Sequence, residues 1–181
     1  MGRDHNVRVI PDQIDFSGPI VIIGFGSIGK GALPLILRHI RAPRGSMVVI
    51  SPDDSSRRLA ELEGVRFEKL ALRPDNYRDV LTPMVAGGFV VNLSVDVSSV
   101  ALISLCRELN AMYIDTCIEP WPGGYVDAGI PLPQRTNYAL RESALALRET
   151  VKRAPTAVLT HGANPGLVSH FLKQALLNIA T

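Results

Sequence analysis

An α/β fold built on a doubly wound, mostly parallel sheet is what this sequence predicts, and three features predict it. Short apolar, β-branched runs ending in glycine or polar residues alternate with segments whose apolar residues fall at helical spacing. The first run, Ile20-Val21-Ile22-Ile23, leads directly into Gly24-Phe25-Gly26-Ser27-Ile28-Gly29, and a helical pattern follows. Alternation of strands and helices implies right-handed crossovers and parallel neighbours, with ligands at the carboxyl ends of the strands.

The elements follow in order. Residues 1–17 hold Val7, Val9 and Ile10 but no sustained period, and are expected to form an N-terminal arm or edge element. The first strand is expected over about 19–24 and the first helix over about 27–41, with Ile28, Ala32, Leu35, Ile36 and Ile40 at helical spacing. Pro34 falls inside that helix, where it removes a backbone bond and bends the axis. Met47-Val48-Val49-Ile50 reads as a second strand, followed by a helical pattern through Arg58, Leu59 and Leu62. A short third strand is expected around Val65-Arg66-Phe67. A helix over about 75–85 then carries Tyr77, Val80, Leu81 and Met84 on one face. Phe89 to Leu93 supplies a fourth strand, 98–110 a helix, and Met112-Tyr113-Ile114-Asp115 a fifth strand. A proline- and glycine-rich loop spans about 122–136. A helix over 138–152, a sixth strand at Ala157-Val158-Leu159 and a last helix from Leu167 complete the pattern.

Bulk properties narrow the class. With 181 residues, 46% hydrophobic and 20% charged, the chain suits one domain with a sizeable core, or one domain plus the start of another. A net charge of +2 is too small to point to nucleic acid. No apolar run approaches the roughly 20 residues of a membrane span, and the polar start lacks a signal-peptide core, so a cytoplasmic protein is expected. Two cysteines, Cys106 and Cys117, make neither a disulfide framework nor a metal site, and Cys106 reads as buried filler.

The chemistry is expected at the strand ends. In the glycine-rich turn, Gly24 permits the tight bend and Gly26 lets the backbone approach a pyrophosphate, while Gly29 lets the helix sit close on the strand. Ser27, Ile28 and Gly29 open the helix, whose amides and dipole favour a phosphate. Asp53, 24 residues past Gly29, is placed either to accept from the adenosine ribose hydroxyls or to cap the next helix, as is Asp54. An acid here repels a 2′-phosphate and favours NAD over NADP; Arg57 and Arg58 keep the second cofactor open. Ser94 and Asp96 follow the fourth strand, and Thr116 and Glu119 the fifth. Asp96 is a candidate for the nicotinamide rim or for a helix cap. Glu119, between Ile118 and Pro120-Trp121, suits a tuned carboxylate or a cation-binding group. Trp121 offers either a cation-stacking face or core packing.

Five motifs in this order resemble bacterial homospermidine synthase, of the saccharopine dehydrogenase-like enzymes. They are Ile23 to Gly29, Val91-Asn92-Leu93-Ser94-Val95-Asp96, Tyr113-Ile114-Asp115-Thr116, Glu119-Pro120-Trp121 and Gly162-Ala163-Asn164-Pro165-Gly166. The resemblance implies a Rossmann-type domain and an NAD-dependent transferase that joins two putrescine units, or spermidine and putrescine, through an imine. NAD would act as a recycled hydride carrier. It implies catalytic roles for Asp96, Glu119 and Asn164, and a cofactor site of Gly24, Gly26, Ser27, Ile28, Gly29, Asp53, Ser94, Asp96, Thr116 and Asn164. His161 receives a minor role, and the full-length enzyme is expected to be a homodimer. Family members are longer, so residues 18–155 are expected to be the dinucleotide-binding domain and 156–181 the link to a missing substrate domain. The piece alone is expected to be inactive. Rival readings are another saccharopine dehydrogenase-like NAD(P) oxidoreductase and a non-catalytic nucleotide-binding module.

Overall fold

The computed structural model describes residues 13–150, 153–160 and 167–180. Its frame is a six-stranded sheet in which every pairing is parallel. In chain order its strands are β2 (Ile20–Ile23), β4 (Met47–Ser51), β5 (Arg66–Lys69), β6 (Phe89–Asn92), β7 (Met112–Asp115) and β8 (Ala157–Val158). They lie side by side as β5-β4-β2-β6-β7-β8. The chain therefore starts at the centre, winds outward to one edge, returns, and winds to the other. This is the doubly wound order, with a crevice where the direction reverses between β2 and β6.

Strand composition explains the layering. Every residue of β2 and β4 is buried, so these strands are apolar on both faces, as parallel strands between helix layers require. Alternate side chains enter separate cores. Val21, Ile23, Val48, Ile50 and Val90 face one core, which α3 (Tyr77–Val85), α4 (Ser99–Glu108) and α5 (Asn137–Ala146) cover with Leu81, Leu102, Leu105, Cys106 and Ala144. Ile20, Ile22, Met47, Val49 and Val91 face the other, under α1 (Ser27–His39) and α2 (Arg57–Leu62), which add Leu33 and Ala60. Cys106 is buried, as its helical setting predicts.

Several boundaries differ from expectation. Helix α1 ends at His39, because Ile40–Arg41 turn extended as β3 and pair with β1 (Ile14–Asp15) in a separate two-stranded sheet. Arg41 holds the arm further through Asp15 at 3.1 Å, an exposed ion pair of small energetic weight. The buried face of α1 is Gly29 and Leu33, whereas Ile28 and Leu35 are each 57% exposed. The close seat of Gly29 on the strand end sets that rotation. Pro34 sits on the exposed side and the helix continues through it. Helix α5 is capped by Thr136, which accepts from the Ala139 amide at 3.1 Å, and it gives way to a 3-10 turn over Leu147–Thr150. Helix α6 (Leu167–Ala180) exposes Phe171, Leu172, Leu176 and Ile179. Among the described residues no helix is long and apolar enough to cross a membrane.

Leu102 on α4 is fully buried in the core that α3, α4 and α5 cover. Leu102→Ala is expected to destabilise the fold by about 2–5 kcal/mol, read as a lower midpoint in denaturant unfolding with an unchanged slope.

Candidate functional site: a crevice at the carboxyl edge of the sheet

The turn after β2 is shaped by contact between backbones. Gly24 has φ +89°, a left-handed conformation that side chains disfavour. A Cβ placed there would stand 2.7 Å from the Ser94 amide nitrogen and 2.8 Å from the Leu93 carbonyl carbon. Gly24 also donates to the Ile50 carbonyl at 2.9 Å, tying the turn to β4. A Cβ on Gly29 would meet the Gly24 carbonyl oxygen at 2.6 Å, so α1 and the strand end approach as closely as backbones can. Gly26 differs: nothing lies within 4 Å of the Cβ it lacks. It is the N-cap of α1 and offers no side chain to the first-turn amides; that turn holds no acidic residue either. The helix start, with Ser27 and Ile28 exposed, therefore presents unsatisfied N–H groups and positive potential.

A cavity of about 490 Å³ opens on this turn, across the carboxyl ends of β2, β4 and β6. Gly24, Phe25 and Gly26 form its floor. Ser51 and Pro52 with Leu70 to Arg73 line one end, and Ser94 to Val97 with Pro122 the other. The lining mixes apolar side chains with backbone polar groups, as a site for a planar ring and a phosphate bridge does.

The predicted site residues distribute unevenly around this cavity. Asp96 lines it, in a left-handed conformation (φ 61°), and it does not cap α4; Ser98 does, accepting from the Ala101 amide at 3.3 Å. Asp53 lies outside the lining residues. Its carboxylate accepts from the Ser55 amide at 2.9 Å and the Ser55 hydroxyl at 2.8 Å, which hold its carboxyl below the usual range. Neither Asp53 nor Asp54 caps α2, whose N-cap is Ser56; Asp54 pairs with Lys69 at 3.1 Å. Thr116 is exposed just past β7. Glu119 is only 8% exposed. Its backbone is clamped by buried Ser99, whose hydroxyl accepts from the Glu119 amide at 3.1 Å and whose amide donates to the Glu119 carbonyl at 2.9 Å. Asn164 and His161 lie outside the described residues. Trp121 packs on Tyr77 with ring centroids 5.3 Å apart, half-buried against the core, and also lines a surface groove with Pro120 and Leu140.

The structure adds residues that sequence reasoning missed. Tyr125, within the loop expected from its prolines and glycines, places its hydroxyl 2.7 Å from Asn137 Oδ1 and 3.0 Å from the Ile118 carbonyl. Burial, then the charge of Glu119, Cys117 and Asp96, pushes its hydroxyl up to about 12. Buried Tyr113 donates to Asp115 Oδ2 at 3.0 Å and accepts from Asn92 Nδ2 at 3.2 Å. Asn92 Oδ1 in turn accepts from the Ser94 hydroxyl at 2.6 Å. Asp115 Oδ1 accepts from the Thr160 amide at 2.8 Å and hydroxyl at 2.7 Å. A polar residue inside an otherwise apolar strand, such as Asn92 or Asp115, is the signal that points to such bonds.

Two outcomes test this geometry. Gly24→Ala combines a disfavoured backbone conformation with a clash against the Leu93–Ser94 backbone, so a loss of at least about 2 kcal/mol is expected in denaturant unfolding. Burial and the neighbouring Glu119 push the Cys117 thiol up to about 11. At pH 8 its alkylation in the folded chain is expected to run roughly tenfold slower than that of a free cysteine, because scarcer thiolate outweighs its greater nucleophilicity. Timed mass spectrometry reads that rate.

Comparison with known proteins places the crevice in a family. Residues 20–159 match the saccharopine dehydrogenase NADP binding domain. A homospermidine synthase from Blastochloris viridis is 54% identical over 167 residues, covering 90% of this chain and 35% of that protein. One from Mesorhizobium japonicum is 48% identical over 171 residues, covering 92% of this chain and again 35% of the relative. The crystal structure of a homospermidine synthase from Legionella pneumophila in complex with NAD superposes with a TM-score of 0.76 at 38% identity, over 93% of this chain and 34% of that one. The chain thus spans 35% of the length of the curated relatives it matches. Fold, glycine geometry and sequence agree: the chain belongs to the saccharopine dehydrogenase NADP binding domain family.

Proposed function

We propose that this chain is the dinucleotide-binding part of a homospermidine synthase and that its crevice holds NAD. The observation that carries the reading is the uncapped start of α1 beside Gly26, where open space replaces a side chain at the cavity floor. A pyrophosphate fits there, held by helix amides and dipole. The adenosine half then extends toward Ser51, Pro52 and the Leu70–Arg73 loop, and the nicotinamide half toward Ser94 and Asp96. Ser27, Ile28 and Gly29 would supply amides, and Asp53 and Thr116, outside the cavity lining, would reach the two ends of the bound cofactor.

Two features support NAD over NADP. The Asp53 carboxylate beside the adenosine end repels a 2′-phosphate. Two nearby cations are already engaged: the Arg57 guanidinium lies 5.0 Å over the Phe67 ring and donates to the Phe67 carbonyl at 3.3 Å, and Arg73 pairs with Asp75 at 3.2 Å. When bound, NAD would supply a hydride acceptor and donor for an amine-bearing carbon. This chain's residues do the positioning. Asp96 and Glu119 provide negative charge that attracts a dication such as putrescine or spermidine at the nicotinamide end. Asn164 would orient the reacting centre. The turnover itself, two diamines joined through an imine, is proposed for the longer protein of which this chain corresponds to about a third of the length.

Thermal unfolding with each cofactor tests the reading. At about 100 times the dissociation constant, NAD is expected to add ~2.7 kcal/mol, a rise of several degrees in midpoint, with a smaller rise for NADP. No rise with either, in a folded sample, overturns it. Gly26→Ala separates fold from site: with no neighbour within 4 Å, the methyl leaves the unliganded midpoint unchanged and abolishes the NAD-dependent rise.

A further inference from the structure

The hydroxyl of Tyr113 occupies a singular place at the carboxyl edge of the sheet. Tyr113 is 1% exposed, on β7, and its hydroxyl makes two bonds, one to Asn92 and one to Asp115, each of which holds a rim segment. Asn92 Nδ2 donates to it at 3.2 Å, and Asn92 holds the hydroxyl of Ser94 at the cavity wall. Ser99 ties the Glu119 backbone to the end of the same strand: its hydroxyl accepts from the Glu119 amide at 3.1 Å and donates to the Cys117 carbonyl at 3.4 Å. The Tyr113 proton goes to Asp115 Oδ2 at 3.0 Å, and Asp115 takes both the amide and the hydroxyl of Thr160, 45 residues away in sequence. The segments after β6 and β8 are thus linked, through Asn92 and Asp115, to one buried hydroxyl on the strand whose end Ser99 holds. Apolar packing alone would have filled this space; a buried polar hub of this kind costs desolvation and specifies one arrangement in return. Burial and the Asp115 charge push the hydroxyl pKa upward, so it stays a protonated donor.

We infer that Tyr113 is a positioning residue for the nicotinamide end of the crevice, its hydroxyl setting the Ser94 wall and Thr160 in register with one another on the strand that leads to Glu119. The inference rests on the reading of the crevice as a dinucleotide site. It predicts that the three segments respond to cofactor as a unit, although neither Glu119 nor Thr160 lines the cavity.

The test is calorimetric titration of the whole chain with NAD at a temperature where every protein is folded. Wild type is measured first. Tyr113→Phe keeps the ring and deletes the hydroxyl; Asp115→Asn keeps the shape and removes one acceptor and the charge. Each is expected to raise the NAD dissociation constant about tenfold, the scale of one lost hydrogen bond. Val85→Ala, at the opposite edge of the sheet near Pro19, lowers the unfolding midpoint at least as much and leaves the constant unchanged. In wild type, NAD is expected to slow amide exchange at Ser94, Glu119 and Thr160 together, beyond the slowing at a core amide such as Val48. Constants within twofold of wild type in either folded variant overturn the inference. If neither variant folds, the exchange pattern decides, and protection confined to 94–97 overturns it. A wild-type chain that binds no NAD removes the reading of the crevice itself, and the inference with it.

Discussion

Three stretches of main chain meet at Gly24, and the rest of the molecule is arranged to let them. Its left-handed conformation turns β2 into α1, its missing side chain admits the Leu93–Ser94 backbone from one side, and its carbonyl receives Gly29 from the other. Steric exclusion of this kind is stiff, because a methyl group at 2.6–2.8 Å from a backbone atom has no low-energy escape. The consequences spread outward. Helix α1 is pinned at one rotation, so Leu33 is buried while Ile28 is displayed. The first turn of the helix is left without a capping side chain, and β6 ends against the turn, where the crevice opens.

The strand, turn and helix pattern was legible because it is local. Each strand of the main sheet declares itself within two to five residues, and the glycine spacing lies within six. What was illegible involves partners far apart. The pairing of Ile14–Asp15 with Ile40–Arg41 depends on an arm crossing to a helix end, and nothing in either dipeptide announces it. The periodicity of α1 suggested Ile28 and Leu35 as inward residues; close backbone contact at Gly29, a tertiary constraint, turned the helix instead. Asp53 shows the same limit at short range, since its carboxylate is engaged by Ser55 two residues on, a turn that competes with capping.

The site divides along the same line. Glycines and strand-end carboxylates could be named from sequence, but not the scaffold that orients them. Asn92, Tyr113, Asp115 and Thr160 are joined by bonds spanning up to 45 residues, Ser99 holds Glu119 20 residues on, and their chemistry is ordinary when each is read alone. Sequence assigned the carboxylates Asp96 and Glu119 to separate loops, and both follow strands, β6 and β7, that lie parallel and adjacent and end at the same edge. Such convergence is a property of the parallel sheet, which delivers the end of every strand to the same edge whatever the chain separation.

The lone tryptophan carries an optical consequence. Trp121 sits on the loop that follows Glu119, half-buried against Tyr77 at 5.3 Å, and the next residue, Pro122, is part of the cavity wall. Light absorbed by Tyr77 passes to the indole at that separation, and the indole emission follows the polarity around this one loop. The molecule therefore contains its own donor–acceptor pair at the rim of the crevice, with no competing indole to mask its signal.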